Sequence, residues 1–256
     1  DNRFIASFDE VNARLQLAPG FWEGSISKAG EAVAAVVSGY HLLREKYPDG
    51  ETCWEALKKV INLIREWRSL NAELTIHAEM GFTGSSEVRK AIVKLVFPNV
   101  DSVGVNETEL HIFHSPSRVK PLSSYSAPDL YLKAKDVLER YRFKRMFIHT
   151  REYSMSILRQ GYVVRPEEEF MALLFGASLA ATLAATGVPP TINKAKEMMM
   201  LGGFEISEEG LKEHEKLASF LDTEGETNYR LFLERGFVDG DPGIVFVPSM
   251  LVRKIK

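Results

Sequence analysis

The stretch Asp101-Ser102-Val103-Gly104-Val105-Asn106-Glu107-Thr108-Glu109-Leu110 decides how the rest of the chain is read. Val100 to Val105 (VDSVGV) has the apolar character of a strand. Asn106 can open the helix predicted from Glu107 to Phe113. A strand passing at once into a helix is the unit from which α/β folds are built. Asn106 and Glu109 stand three apart, so one helical turn brings them together. The start of a helix also offers backbone N–H groups to an anion. A carboxylate beside such a start suits a bridging Mg²⁺, which takes one or two carboxylates, several waters and substrate phosphates. Each residue has an ordinary alternative: Asn106 as an N-cap and Glu109 as an exposed helix acid.

The same pattern extends in both directions. Upstream, Leu74 to Glu79 (LTIHAE) reads as a strand, and His77 and Glu79, two apart, share one face. Before it, Thr52 to Leu70 has helical periodicity. Ala34 to Ser38 (AAVVS) is an apolar run suited to a strand covered on both faces. Arg3 to Ser7 (RFIAS) reads as a short strand. Ser86 is a candidate cap for a helix running to Phe97, before Pro98. Downstream, Asp129 to Tyr141 reads as a helix, Arg145 to His149 and Ser154 to Arg159 as strands, and Glu167 to Thr186 as an Ala-rich helix. Ile206 to Leu221, capped by Ser207, and strands at Ile244 to Val247 and Leu251 to Ile255 complete the reading. This alternation predicts an α/β fold, a mostly parallel sheet with helices on both faces. In such sheets ligands bind at the carboxyl ends of the strands. His77, Glu79, Asn106, Glu109, His149 and Thr150 all stand at such ends. Arg3 could stabilise charge on a moving phosphoryl group, or be a solvated charge.

Composition narrows the classes. The 256 residues carry a formal charge of -3, and no basic stripe of the kind nucleic acid requires is present. One cysteine, Cys53, rules out an internal disulfide framework and fits a reducing, cytoplasmic setting. No apolar run is expected to span a membrane. The longest, Phe170 to Val188, is interrupted by Gly176 and Gly187 and reads as a buried helix. No signal peptide is evident, and a first residue Asp1 suggests a piece of a longer polypeptide. P-loop, Gly-x-Gly-x-x-Gly, zinc-ligand and Gly-x-Ser-x-Gly patterns are absent.

The motifs then fall into a familiar order. Asn2-Arg3-Phe4-Ile5, Val36-Val37-Ser38-Gly39-Tyr40, Ile76-His77-Ala78-Glu79, Asp101 to Leu110, Phe147-Ile148-His149-Thr150 and Val245-Phe246-Val247-Pro248 follow one another. The series resembles the ADP-dependent sugar kinases, the archaeal-type phosphofructokinases and glucokinases of the ribokinase-like superfamily, over nearly the whole chain. The resemblance implies Mg²⁺-dependent phosphoryl transfer from ADP to fructose 6-phosphate, with glucose also possible as acceptor, giving AMP. It implies that Glu79 and Glu109 serve Mg²⁺, with His77 in support, and that Asn106 contacts the nucleotide. His149, Thr150 and Tyr153 match positions near the adenine, and Val252 a backbone contact to it. Arg3 matches an arginine that stabilises the phosphoryl group, and Arg14 is a candidate for a sugar phosphate. By the resemblance, residues 1–256 form part of the nucleotide-binding large domain, with about the first 20 leading in from a small lid domain. The family's general base lies in a Gly-x-Gly-Asp motif that this sequence lacks, so the 256 residues alone are expected to be inactive. A Mg²⁺-dependent hydrolase and a non-catalytic nucleotide-binding module remain as other readings of the same residues.

Overall fold

The computed structural model describes residues 10–115, 125–200 and 202–252. Arg3 and the strand expected around it lie outside them, as do residues 253–256. The chain divides into two compact units, Asp1–Val105 and Asn106–Lys256.

In the first unit the elements run α1 (Glu10–Ala13), α2 (Pro19–Ala29), β1 (Ala34–Val37), α3 (Cys53–Leu70), β2 (Thr75–Glu79), α4 (Ser86–Ala91) and β3 (Ser102–Val105). The three strands pair in parallel in the order β1-β2-β3. Helix α3 is strongly amphipathic because its apolar residues recur at helical spacing, and Leu57, Ile61 and Ile64 are fully buried. Each such side chain stabilises the fold by about 1.5–3 kcal/mol. Thr52 and Glu55 close its first turn as a capping box, with Thr52 N donating to Glu55 at 2.8 Å. Asp101 joins neighbouring elements: its carboxylate accepts from Ile76 N at 2.9 Å and from Arg68 at 2.6 Å.

Two local expectations are corrected. Strand β1 is not covered on both faces, and Val36 is 71% exposed. It pairs on one side only, and no helix lies over that face among the described residues. The cap of α4 is Ser85 rather than Ser86, its hydroxyl accepting from Val88 N at 3.0 Å. The helix then loosens into a wider turn, Ile92–Val96, and a tight one, Phe97–Asn99.

The second unit contains α5 (Glu107–His114), α6 (Ala127–Tyr141), β4 (Arg145–His149), β5 (Tyr153–Leu158), α7 (Pro166–Thr186), α8 (Ile192–Met200), β6 (Phe204–Ile206), α9 (Glu208–Thr223), α10 (Tyr229–Arg235), β7 (Phe237–Val238), β8 (Gly243–Pro248) and β9 (Met250–Val252). Its strands run in the order β4-β5-β8-β7 with antiparallel ladders, and β6 pairs β9 separately, also antiparallel. The mixed α/β class expected from the alternation is the one observed, with parallel pairing in the first unit. An aromatic stack anchors α9 to this sheet. His214 lies on Phe246 at 4.8 Å and 5°, and Tyr153 lies on Phe246 at 4.6 Å and 25°. Helix α7 is tied down by a buried acid, Glu169, which accepts from Arg145 Nε at 2.9 Å and from the Ser156 hydroxyl at 2.6 Å.

Helix α7 departs from the sequence reading. By length and composition it could cross a membrane, with a mean hydropathy of 1.5, and only 22% of its apolar window is buried. Gly176 sits inside the helix without breaking it, and the exposed side chains Met171, Phe175 and Leu183 follow one helical stripe. Glycine within a helix costs about 1 kcal/mol relative to alanine, too little to interrupt 21 residues.

Candidate functional site

The first unit positions His77 and Glu79 as their spacing required. In β2 the side chains of Ile76 and Ala78 are buried while those of Thr75, His77 and Glu79 occupy the other face. His77 links two groups: its Nδ1 lies 2.8 Å from Ser102 Oγ, and its Nε2 lies 3.2 Å from Glu79 Oε2. Every atom is satisfied when Nε2–H donates to the carboxylate and the Ser102 hydroxyl donates to Nδ1. Ser102 is fully buried, so the relay starts from a fixed point. The histidine thereby holds the Glu79 carboxylate in one orientation.

Gly104 completes the arrangement. It pairs with Glu79 across β2 and β3. A Cβ at position 104 would lie 2.0 Å from Glu79 Oε2, 2.9 Å from its Cδ and 3.0 Å from His77 Nε2. The carboxylate therefore rests on bare backbone. Neither Ser102 nor Gly104 was singled out from the sequence. The glycine carried a readable signal, since a glycine inside a strand marks close approach; the serine carried none.

In the second unit Asn106 and Glu109 are brought together as a capping box. Asn106 Oδ1 accepts from Thr108 N at 3.0 Å and Glu109 N at 2.9 Å. Asn106 N and Nδ2 donate to the two Glu109 carboxylate oxygens, each at 2.9 Å. Glu109 is buried rather than an exposed helix acid. The N–H groups expected to be open to an anion are largely engaged, because Leu110 N also donates to the Asn106 carbonyl.

Thr150 builds the β4–β5 hairpin. Its hydroxyl accepts from Glu152 N at 3.1 Å and Tyr153 N at 3.0 Å, and donates to the Tyr153 carbonyl at 3.0 Å. His149, half-buried at the end of β4, lies 5.8 Å from the Phe147 ring. Tyr153 is buried, and its hydroxyl has no partner among the described residues. Burial, with Glu213 and Glu107 nearby, pushes this phenol well above its usual range. Thr150 and Tyr153 line a cavity of about 290 Å³ with Glu107, Glu152 and Glu213. Val252 ends β9, opposite Phe204. The strand follows Ser249, whose N–H donates to the Glu152 carbonyl at 2.8 Å. A larger cavity, about 390 Å³, opens at the far end of β5 beside Arg159 and Asp241 and contains none of the expected residues.

Arg14 is already engaged. It donates to Asp49 and Glu51 at 2.7 Å each, and its guanidinium lies 4.3 Å above the Tyr47 ring. Among the described residues, no group of three or more His, Cys, Asp or Glu is placed to hold a metal ion.

The model of the conserved region of ADP-specific phosphofructokinase/glucokinase matches residues 1–256. The chain belongs to this family. An ADP-specific phosphofructokinase of Methanosarcina acetivorans is 27% identical over 100% of this chain and 53% of its own length. An ADP-dependent glucose/glucosamine kinase of Pyrococcus abyssi is 30% identical, again over 100% of this chain and 53% of its own. The chain thus spans about half the length of these curated relatives of the ADP-specific phosphofructokinase/glucokinase family. Among solved structures, the last common ancestor of ADP-dependent phosphofructokinases from Methanosarcinales superposes with a TM-score of 0.82 at 23% identity, covering 94% of this chain and 50% of that one. An ADP-dependent kinase in complex with fructose-6-phosphate and ADPbetaS gives 0.81, at 23% identity and covering 93% of this chain and 53% of that one. These two likenesses establish a shared fold.

Proposed function

We propose that the protein transfers a phosphoryl group from ADP to a hexose or hexose phosphate, releasing AMP, with fructose 6-phosphate as the first acceptor to test and glucose as the second. The observation that carries this reading is the Ser102–His77–Glu79 relay laid over Gly104. It presents an oriented, one-third exposed carboxylate at the carboxyl end of a parallel strand. Family membership supplies the reaction type, and the complex with fructose-6-phosphate and ADPbetaS supports this donor and acceptor.

In this reading Glu79 and Glu109 serve Mg²⁺, with His77 orienting Glu79 and Asn106 holding Glu109 and facing the nucleotide. An oriented carboxylate such as Glu79 suits magnesium, because a hard cation that keeps waters needs one or two carboxylates rather than a closed cage of three. When bound, the ion would neutralise phosphate charge. The chain's own residues orient the carboxylates and hold the nucleotide in place. Thr150, Tyr153 and the backbone at Val252 would receive the adenine, with His149 beside them. Arg3, by the family pattern, would stabilise charge on the transferred group. Arg14, the candidate for a sugar phosphate, holds Asp49 and Glu51 through Nη1 alone.

The test is AMP formation by the full-length protein from ADP with fructose 6-phosphate or glucose, in Mg²⁺ and in EDTA, with ATP in a parallel assay. AMP that depends on both sugar and Mg²⁺, with no turnover of ATP, supports the proposal. Sugar-independent release of phosphate would favour the hydrolase, and ADP binding without turnover the non-catalytic module. Residues 1–256 alone are expected to be inactive in the same assay, because the family's Gly-x-Gly-Asp base is not among them.

A further inference from the structure

A second feature stands at the same strand edge and is not used by the metal and nucleotide residues. After β1 the chain turns through Gly39, whose φ of 96° is in the left-handed region that favours glycine. The next two residues point in opposite senses. Tyr40 is buried at 1% exposure, while His41 is exposed. The His41 side chain packs against the loop that follows β2. A Cβ at Gly81 would fall 2.3 Å from His41 Nδ1, 2.6 Å from Cγ and 2.9 Å from Cβ. Gly81 is two residues beyond Glu79, so the imidazole sits next to the metal-facing end of β2.

The seat is rigid. Arg89 donates to the Thr83 carbonyl at 2.8 Å, and the Ser85 hydroxyl donates to Glu45 at 2.6 Å, pinning the loop from both sides. The imidazole nitrogens themselves find no partner among the described residues. An exposed imidazole held against a glycine costs rotamer entropy and gains no hydrogen bond within the protein. Beside it stands Phe82, 56% exposed. A ring nitrogen that can donate suits sugar hydroxyls, and Phe82, one residue beyond Gly81, offers exposed apolar surface for the C–H face of a hexose. Phosphoryl transfer requires the acceptor hydroxyl in line with the phosphate, so acceptor contacts belong at this edge.

We propose that His41, seated on Gly81, donates a hydrogen bond to an oxygen of the acceptor sugar and helps to set its position. This rests on the kinase reading above. The test measures KM for fructose 6-phosphate, glucose and ADP in the full-length wild-type protein and in its H41A, H41Q and G81A variants. Direct titration of each sugar into the same proteins follows by calorimetry. Gly81→Ala leaves the imidazole intact but removes its seat. The expected result is a rise of about tenfold in sugar KM in both H41A and G81A, with KM for ADP unchanged and partial recovery in H41Q. The double variant should be no worse than either single one, since both remove the same contact. Sugar affinity unchanged in H41A, or equal losses for sugar and ADP, would overturn the proposal. So would a wild-type protein that turns over ADP with a sugar yet binds and uses that sugar as well in H41A as in wild type. A wild type that binds neither sugar and forms no AMP would instead remove the kinase reading and this inference with it.

Discussion

Gly104→Ala is the sharpest perturbation the structure offers. The added methyl would start 2.0 Å from Glu79 Oε2. To reach ordinary contact the carboxylate must retreat by about 1.4 Å, and the 3.2 Å bond from His77 then breaks. Glu79 is one-third exposed, so it can swing toward solvent. The cost to folding is therefore below the roughly 1–3 kcal/mol of overpacking in a closed core. The cost to function is larger. Loss of a group that orients a metal-facing carboxylate typically weakens metal affinity about 10–100-fold, and misplacing a reacting group by about 1 Å can cost on the order of 100-fold in rate. The assay is kcat of the full-length protein at saturating ADP and sugar across a Mg²⁺ titration, beside thermal unfolding of the same variant. Expected are a melting temperature within a few degrees of wild type and a Mg²⁺ requirement raised at least tenfold. Wild-type kcat with a wild-type Mg²⁺ midpoint would refute the reasoning, because Glu79 would then be displaced without consequence.

Three further outcomes can be checked. Asn106→Ala removes a helix cap worth about 1 kcal/mol and strips the buried Glu109 carboxylate of its Nδ2 donor, leaving only the backbone N–H of residue 106 from that pair. Urea unfolding should show a loss of about 2–3 kcal/mol, more than a cap alone explains. Burial holds His214 down to about 4, so the folded state resists its protonation while the unfolded chain takes up a proton near 6.5. The unfolded state binds more protons in that window, and stability should fall by about 2 kcal/mol between pH 7 and pH 5; a His214→Phe variant should show a flatter profile in the same urea titrations. Arg14→Ala opens the ion-pair cluster with Asp49 and Glu51; a selective rise in KM for fructose 6-phosphate over glucose in the full-length protein would show that Arg14 meets a sugar phosphate.

The sequence by itself determined the local pieces. Alternation in Thr75 to Glu79 placed His77 and Glu79 on one face, because strand side chains alternate with a period of two. The three-residue spacing of Asn106 and Glu109 made them partners, because a helical turn closes at that distance. Both depend only on neighbours in the chain. What lay beyond the sequence depends on pairing between distant segments. Ser102 meets His77 only because β3 lies beside β2 in this register, and Gly104 receives Glu79 for the same reason. The antiparallel ladders of β4, β5 and β8, and the exposed faces of β1 and α7, likewise follow from which elements pack together. Apolar composition says that a strand or helix can be covered, and only the packing of other elements decides whether it is. The site began as a set of acids and histidines at strand ends. Tertiary structure turned Glu79 into an oriented carboxylate, Glu109 into a buried partner of its own cap, and His41 into an imidazole held in place against a glycine.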